Sequence, residues 1–268
     1  MISKINEAVA YIQSVYNDKP TIGIVLGSGL GNFAKEITIE QEIPYSEIPH
    51  FPVSTVEGHS GKLIFGKLSG KKVVAMSGRF HFYEGYNMQE VVFPVRVMKF
   101  LGIETLLLSN AAGGVNPDLK VGDLMIITDH ISQLTVNPLI GKNIAELGTR
   151  FPDMTEPYKK VLINKAQNIA SAKGIPVKQG VYVGVTGPTF ETKAEYLMIQ
   201  SMGGDAVGMS TVPETIAAIH MGLSVFAMSV ITDMGLTDEK ITHEEVLKAA
   251  KAAEPDFAYI IKELVAQL

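Results

Sequence analysis

Ile22-Gly23-Ile24-Val25-Leu26-Gly27-Ser28-Gly29-Leu30-Gly31 is the stretch that sets the fold class. It begins as an uninterrupted apolar run, the pattern of a strand covered on both faces rather than one with a wet side. It then breaks into glycine and serine, where backbone can turn sharply and offer N–H groups and a hydroxyl to an anion. Apolar runs of the same kind recur at 62–65, 73–76, 105–109, 124–128, 181–185 and 224–231. Between them lie helical patterns. Ile2, Ile5, Val9, Ile12 and Tyr16 fall on one helical face. Asn87 with Glu90, Thr192 with Glu195, Thr211 with Glu214 and Thr242 with Glu245 each read as a capping box, and Gly203 and Gly222 as helix ends. The segment from Thr242 is helical, with Pro255 predicting either a kink or two helices. Strands alternating with helices, with no linker or internal repeat, predict an α/β fold: one domain over 1–268 with a central mixed β-sheet flanked by helices.

Composition narrows the chemistry. With 46% hydrophobic and 19% charged residues the chain has ample apolar surface to offset chain entropy, and 268 residues fit one large core. A net charge of −5 supplies no field to gather a polyanion, so no nucleic-acid partner is expected. The absence of cysteine removes disulfides, thiolate nucleophiles and Cys-type zinc sites. The histidines, His50, His59, His81, His130, His220 and His243, lack metal-ligand spacing, so no metal is expected. Asn6 and Glu7 interrupt any signal-peptide core, and no apolar run approaches a membrane span. The expectation is a cytoplasmic protein with no membrane partner.

The 25 glycines cluster after predicted strands. Besides Gly27 to Gly31, there are Asn110-Ala111-Ala112-Gly113-Gly114 and Gly184-Val185-Thr186-Gly187-Pro188-Thr189-Phe190-Glu191. The ends of strands are where open α/β sheets place ligands, so the three clusters read either as one shared pocket or as plain turns. The dinucleotide fingerprint fails at Asn32, and the Walker A ending is missing. Arg79, His81 and Tyr83 follow the run 73–76 at i, i+2 and i+4, which in extended chain puts all three on one side. An arginine fork beside a histidine suits an oxyanion.

Taken together, LGSGLG (26–31), FPVSTVEGHSGKL (51–63), GRFHFYEGY (78–86), SNAAGGVN (109–116), GDLMIITDHI (122–131), TGPTFET (186–192), DAVGMSTVPE (205–214) and THEEV (242–246) resemble, in order and nearly end to end, the trimeric low-molecular-mass purine nucleoside phosphorylases. The resemblance implies a nucleoside phosphorylase-like fold, a homotrimer, and reversible phosphorolysis of purine (deoxy)ribonucleosides to free base and pentose 1-phosphate in purine salvage. Phosphate is then a co-substrate, with no cofactor. It also implies a phosphate site of Ser28, Arg79, His81, the Ala111 N–H and Ser210, with His59 in a secondary role at its entrance. The sugar lies against Tyr83 and Met209, and His243 reaches the 5′-hydroxyl. Phe190 stacks on the base, Glu191 accepts from N1–H, and Phe151 enters the neighbouring subunit's site. His81, Glu191 and Asp233 are the implied catalytic residues. Glu195 and Glu214 are read as caps only.

One position departs from that family. Members acting on 6-oxopurines usually carry asparagine where this chain has Asp233, and the loop Met234-Gly235-Leu236 is shorter than usual. An ionised Asp233 faces two acceptors in a 6-oxopurine, N7 and O6, whereas adenine presents an amino donor at position 6. The alternative is therefore an adenosine or 5′-methylthioadenosine phosphorylase.

Overall fold

A computed structural model describes residues 1–53, 61–237 and 241–268. The chain opens with helix α1 (Ile2–Val15), which buries Ile5, Ala8 and Ile12 at the predicted spacing. Strand β1 (Ile22–Leu26) is buried at every position, as its unbroken apolar run requires. The remaining strands are β2 (Thr38–Pro44), β3 (Lys62–Leu68), β4 (Lys71–Ser77), β5 (Thr105–Gly114), β6 (Leu124–Ser132), β7 (Val177–Gly184), β8 (Ala206–Gly208) and β9 (Ser224–Met234). Short helix α2 (Met88–Val91) runs into α3 (Phe93–Leu101), followed by α4 (Lys160–Lys173), α5 (Lys193–Ser201), α6 (Val212–His220) and α7 (His243–Ala266).

One mixed nine-stranded sheet runs in the order β2-β3-β4-β1-β5-β8-β7-β6-β9. Because β9 also pairs in parallel with β5, the last five strands close into a ring, and β2-β3-β4-β1 extends from β5 as an open wing. Two features of β5 place the ligand cleft. On one edge it pairs with β1 as far as Leu108 and with β8 from Gly113 onward, which leaves a gap between those partners. On the other edge the β5–β9 register shifts between Ala112 and Gly113, where β9 carries Thr232 as an extra residue. A bulge of this kind bends a strand and re-aims its side chains, here those of Thr232 and Asp233.

The structure departs from the sequence expectation at several points. Residues 111–114 are not a turn after a strand but the continuation of β5, because β8 and β9 supply partners. Tyr83 is not in extended chain; it lies in a 3₁₀ turn, Phe82–Glu84. Of the two readings at Pro255, the division into two helices is not found: α7 runs from His243 to Ala266 with the proline inside it. Past the proline Phe257, Ile260, Ile261 and Leu264 are buried, and α7 packs on α4 and β9, so apolar burial offsets the missing N–H. Buried Glu254, beside that proline, accepts from the Phe33 N–H at 2.8 Å and from Asn32 Nδ2 at 3.1 Å. No helix among the described residues is long and apolar enough to cross a membrane.

Candidate active site

The cleft opens at the carboxyl ends of β1, β4, β5 and β9 and the β8–α6 connection, and amounts to about 660 Å³ with its mouth. Ser28, Arg79, His81, Tyr83, Ala111, Phe190, Glu191, Met209, Ser210, Asp233 and His243 all line it. His59 lies outside the described residues. Phe151 stands apart from the cleft of its own chain and is 85% exposed.

At one end the donors converge. Arg79, 2% exposed, donates from Nη1 to the Ser109 carbonyl at 2.6 Å and to Ser210 Oγ at 3.3 Å. Its Nε donates to Glu214 Oε1 at 2.8 Å. The Ser109 carbonyl therefore faces the gap beside β5, and Gly113 pairs with β8 on that same edge. By strand alternation Ala111, midway between them, turns its backbone N–H and C=O to the gap as well. Ala112 faces the other way, its carbonyl accepting from Thr232 Oγ1. His81 Nδ1 is 3.1 Å from Glu84 Oε1, so a contact between this ring and a ligand falls to Nε2. Tyr83 stacks on His81 with centroids 4.7 Å apart, and burial pushes its phenol up to about 12.

Ser210 and Thr211 are held in an unusual backbone. Thr211 has φ 71° and ψ −48°, and Val212 N donates to the Ser210 carbonyl at 2.7 Å, which is a γ-turn of the rare, strained sense. Asn110 Nδ2 donates to Thr211 Oγ1 at 2.8 Å, and the Thr211 N–H donates to Glu214 Oε2. Glu214, read from sequence as a cap, thus fixes both the turn and Arg79.

Phe190, 42% exposed, lines the same cleft with Glu191 and Asp233. Desolvation pushes both carboxyls up, and Asp233 adds to the rise at Glu191. Thr232 Oγ1 donates to Asp233 Oδ1 at 3.0 Å and Tyr196 Oη to Asp233 Oδ2 at 3.3 Å. The Tyr196 phenol also helps to lower the Glu191 carboxyl, against the larger rise from burial. Met209 lines the cleft as well, and so does His243, the exposed first residue of α7. Tyr196, Asn110, Glu84 and Glu214 are the residues sequence reasoning missed. Glu84 and Glu214 carry a signal, a carboxylate three residues after a site residue or its neighbour. Tyr196 carries none beyond an aromatic on a helix. No group of three or more His, Asp or Glu among the described residues is placed to hold a metal ion.

The sequence pattern of the phosphorylase superfamily matches residues 21–266. The chain is 52% identical to purine nucleoside phosphorylase 1 of Geobacillus stearothermophilus, over 97% of this chain and 96% of that protein. A crystal structure of a Schistosoma purine nucleoside phosphorylase in complex with hypoxanthine matches it with a TM-score of 0.95 at 43% identity, covering 100% of this chain and 98% of that one. The Schistosoma mansoni enzyme in complex with adenosine gives the same values. These relatives do not favour the alternative of a dedicated adenosine or 5′-methylthioadenosine phosphorylase. The chain belongs to the purine nucleoside phosphorylases, glycosyltransferase-type enzymes of the phosphorylase superfamily.

Proposed function

We propose that the protein carries out reversible phosphorolysis of purine ribo- and deoxyribonucleosides, giving free base and pentose 1-phosphate in purine salvage. It works as a cytoplasmic homotrimer, with inorganic phosphate as co-substrate and no metal or organic cofactor. The observation that carries this reading is that one cleft is lined both by Arg79, bonded to Ser210, with His81, and by Phe190 with Glu191 and Asp233, the last bonded by Tyr196. Ser28, Arg79, His81, the Ala111 N–H and Ser210 hold phosphate in line with C1′, with His59 at the entrance. Positioning of this kind converts a bimolecular attack into one within the complex. Tyr83 and Met209 pack against the sugar, and His243 meets the 5′-hydroxyl. Phe190 stacks on the base and Glu191 accepts from N1–H. Phe151, exposed on its own subunit, closes the site of the next.

In the reaction a phosphate oxygen bonds to C1′ as the C1′–N9 bond breaks through an oxocarbenium-like transition state. The electron pair of that bond passes to the purine, and Asp233 delivers a proton to N7. Burial of Asp233, which favours its protonated form, supports this role. The test is purine release from inosine, followed by absorbance with and without phosphate. Phosphate-dependent release is expected; a protein that binds inosine without splitting it overturns the reading. Asp233→Ala is expected to lower kcat by about 10²–10³, and full kcat on every purine nucleoside would remove Asp233 as the acid.

A further inference from the structure

Between the two carboxyls at the base end of the cleft stands a single phenol. Tyr196 is 1% exposed, its Oη donates to Asp233 Oδ2 at 3.3 Å, and the phenol and the Glu191 carboxyl lie close enough to influence each other's ionisation, both lining the same cleft. Two glycines make room for it. A Cβ on Gly235 would stand 1.9 Å from Tyr196 Cζ, and one on Gly113 would stand 2.7 Å from Tyr196 Oη and 2.9 Å from Asp233 Oδ2. A phenol carries one proton, so it donates to one carboxylate at a time. Two ionised carboxylates sharing one desolvated pocket repel, and such pairs settle with one proton between them. The hydroxyl then has two equivalent settings, each aimed at whichever carboxyl is ionised.

We propose that Tyr196 is a two-position donor that lets Glu191 and Asp233 hold one proton in either of two arrangements, so that a single pocket accepts both 6-oxopurine and 6-aminopurine nucleosides. The inference rests on the phosphorolysis reading and names the substrate class of that same site. With Asp233 protonated and Glu191 ionised, Glu191 accepts from N1–H and Asp233 donates to N7. Tyr196 then turns to Glu191. With the proton on Glu191 instead, ionised Asp233 accepts from the 6-amino group and the Glu191 O–H donates to the bare N1 of adenine, so that for this base Glu191, in place of Asp233, supplies the proton, at N1, as the C1′–N9 bond breaks. Tyr196 then turns to Asp233, as in the structure. In the empty site the exchange is balanced: the Glu191 O–H passes its proton to Tyr196 Oη as Tyr196 passes its own to Asp233 Oδ2. One proton moves from Glu191 to Asp233 and the charge of the pair stays the same. Tyr196 does not touch the base in this scheme; it is a positioning residue.

Other ionisable groups border the pair. Glu195 on α5 adds to the rise at Glu191 and is itself tied to the Thr192 cap. From α7, His243 lines the cleft, and Glu245 and Lys248 line a second cavity that Asp233 also borders.

The experiment compares kcat/KM for inosine and adenosine across pH in the wild-type enzyme and in Tyr196→Phe. Both arrangements carry the same number of protons, so the wild-type ratio is expected to stay flat between about pH 6 and about pH 8. Removing the donor makes the ionised Glu191 that inosine needs harder to form. The same holds for the ionised Asp233 that adenosine needs, so Tyr196→Phe is expected to lose about tenfold on both nucleosides, with the deficit shrinking as pH rises. A loss confined to one nucleoside, or a loss on both that does not change with pH, overturns the proposal. Should Tyr196→Phe fail to fold, the wild-type ratio decides: a change of about tenfold per pH unit means independent titration and also overturns it. Turnover of inosine without adenosine overturns the switch and leaves phosphorolysis standing. Absence of phosphate-dependent release from either nucleoside overturns phosphorolysis itself.

Discussion

Glu214 Oε1 accepts from Arg79 Nε at 2.8 Å, and both side chains are almost fully buried. The other oxygen of the same carboxylate accepts from the Thr211 N–H, so one residue at the start of α6 holds the cleft-lining Arg79 and a strained turn in fixed relation. Removing one partner of a buried ion pair strands the other, at a cost on the order of 3–5 kcal/mol. Glu214→Ala is expected to lower stability by about that amount. In Glu214→Gln, which keeps the shape, the expected effect is a higher KM for phosphate with little change in KM for nucleoside. Equal changes in both constants would place Glu214 in general packing rather than in support of Arg79.

Much of the fold was readable because buried strands write themselves as continuous apolar runs, as in β1 and β9. The exceptions follow from the same rule. Edge strand β2 is largely exposed and reads Thr-Ile-Glu-Gln-Glu-Ile-Pro, so it lacks such a run. Strand β8 has only three residues and exists because β5 and β7 flank it. At the site, the motif residues announce themselves as types suited to an anion or a base. Their supports do not. The pairing of Glu214 with Arg79 spans 135 positions, and the approach of Tyr196 to Asp233 depends on a bulge in β9 and on two glycines from different strands and loops. Local sequence holds no trace of either.

Gly113 tests that packing directly. It lies inside β5, and an added methyl would press on Tyr196 Oη and Asp233 Oδ2 together. Overpacking of a filled site costs about 1–3 kcal/mol, and displacement of a catalytic group by about 1 Å can cost 10²-fold. Gly113→Ala is expected to fold with a lowered melting temperature and to lose up to about 100-fold in kcat/KM. Wild-type kinetics with an unchanged melting temperature would mean that the pocket yields without displacing Asp233.

Phe151 offers a test of the proposed trimer. An aromatic 85% exposed on its own chain contributes little to the fold, and surface substitutions of this kind stay within about 0.5 kcal/mol. If the ring closes a neighbouring site, its removal instead weakens nucleoside binding. Phe151→Ala is expected to keep its melting temperature and its oligomeric mass by light scattering, and to raise KM for nucleoside about tenfold, the scale of one interface anchor. A monomeric mass for the wild-type protein, or an unchanged KM in the variant, would count against the shared site.

The carboxyl of Asp233 links the site to stability. Desolvation raises it above its ordinary value of 3.8, so the folded chain keeps this proton to higher pH than the unfolded chain does. Between the two values the folded state binds more protons, and stability falls as pH rises through that window. The loss is absent below the unfolded value and complete above the folded one. Asparagine at this position has no such term, and it also removes the charge that helps to raise Glu191. Asp233→Asn is therefore expected to melt at a higher temperature than the wild type at about pH 8, with the difference closing as pH falls toward about 4. Thermal denaturation across that range measures it. A difference independent of pH would assign the change to packing alone, and one that grows toward acid would mean that the folded site lowers this carboxyl rather than raising it.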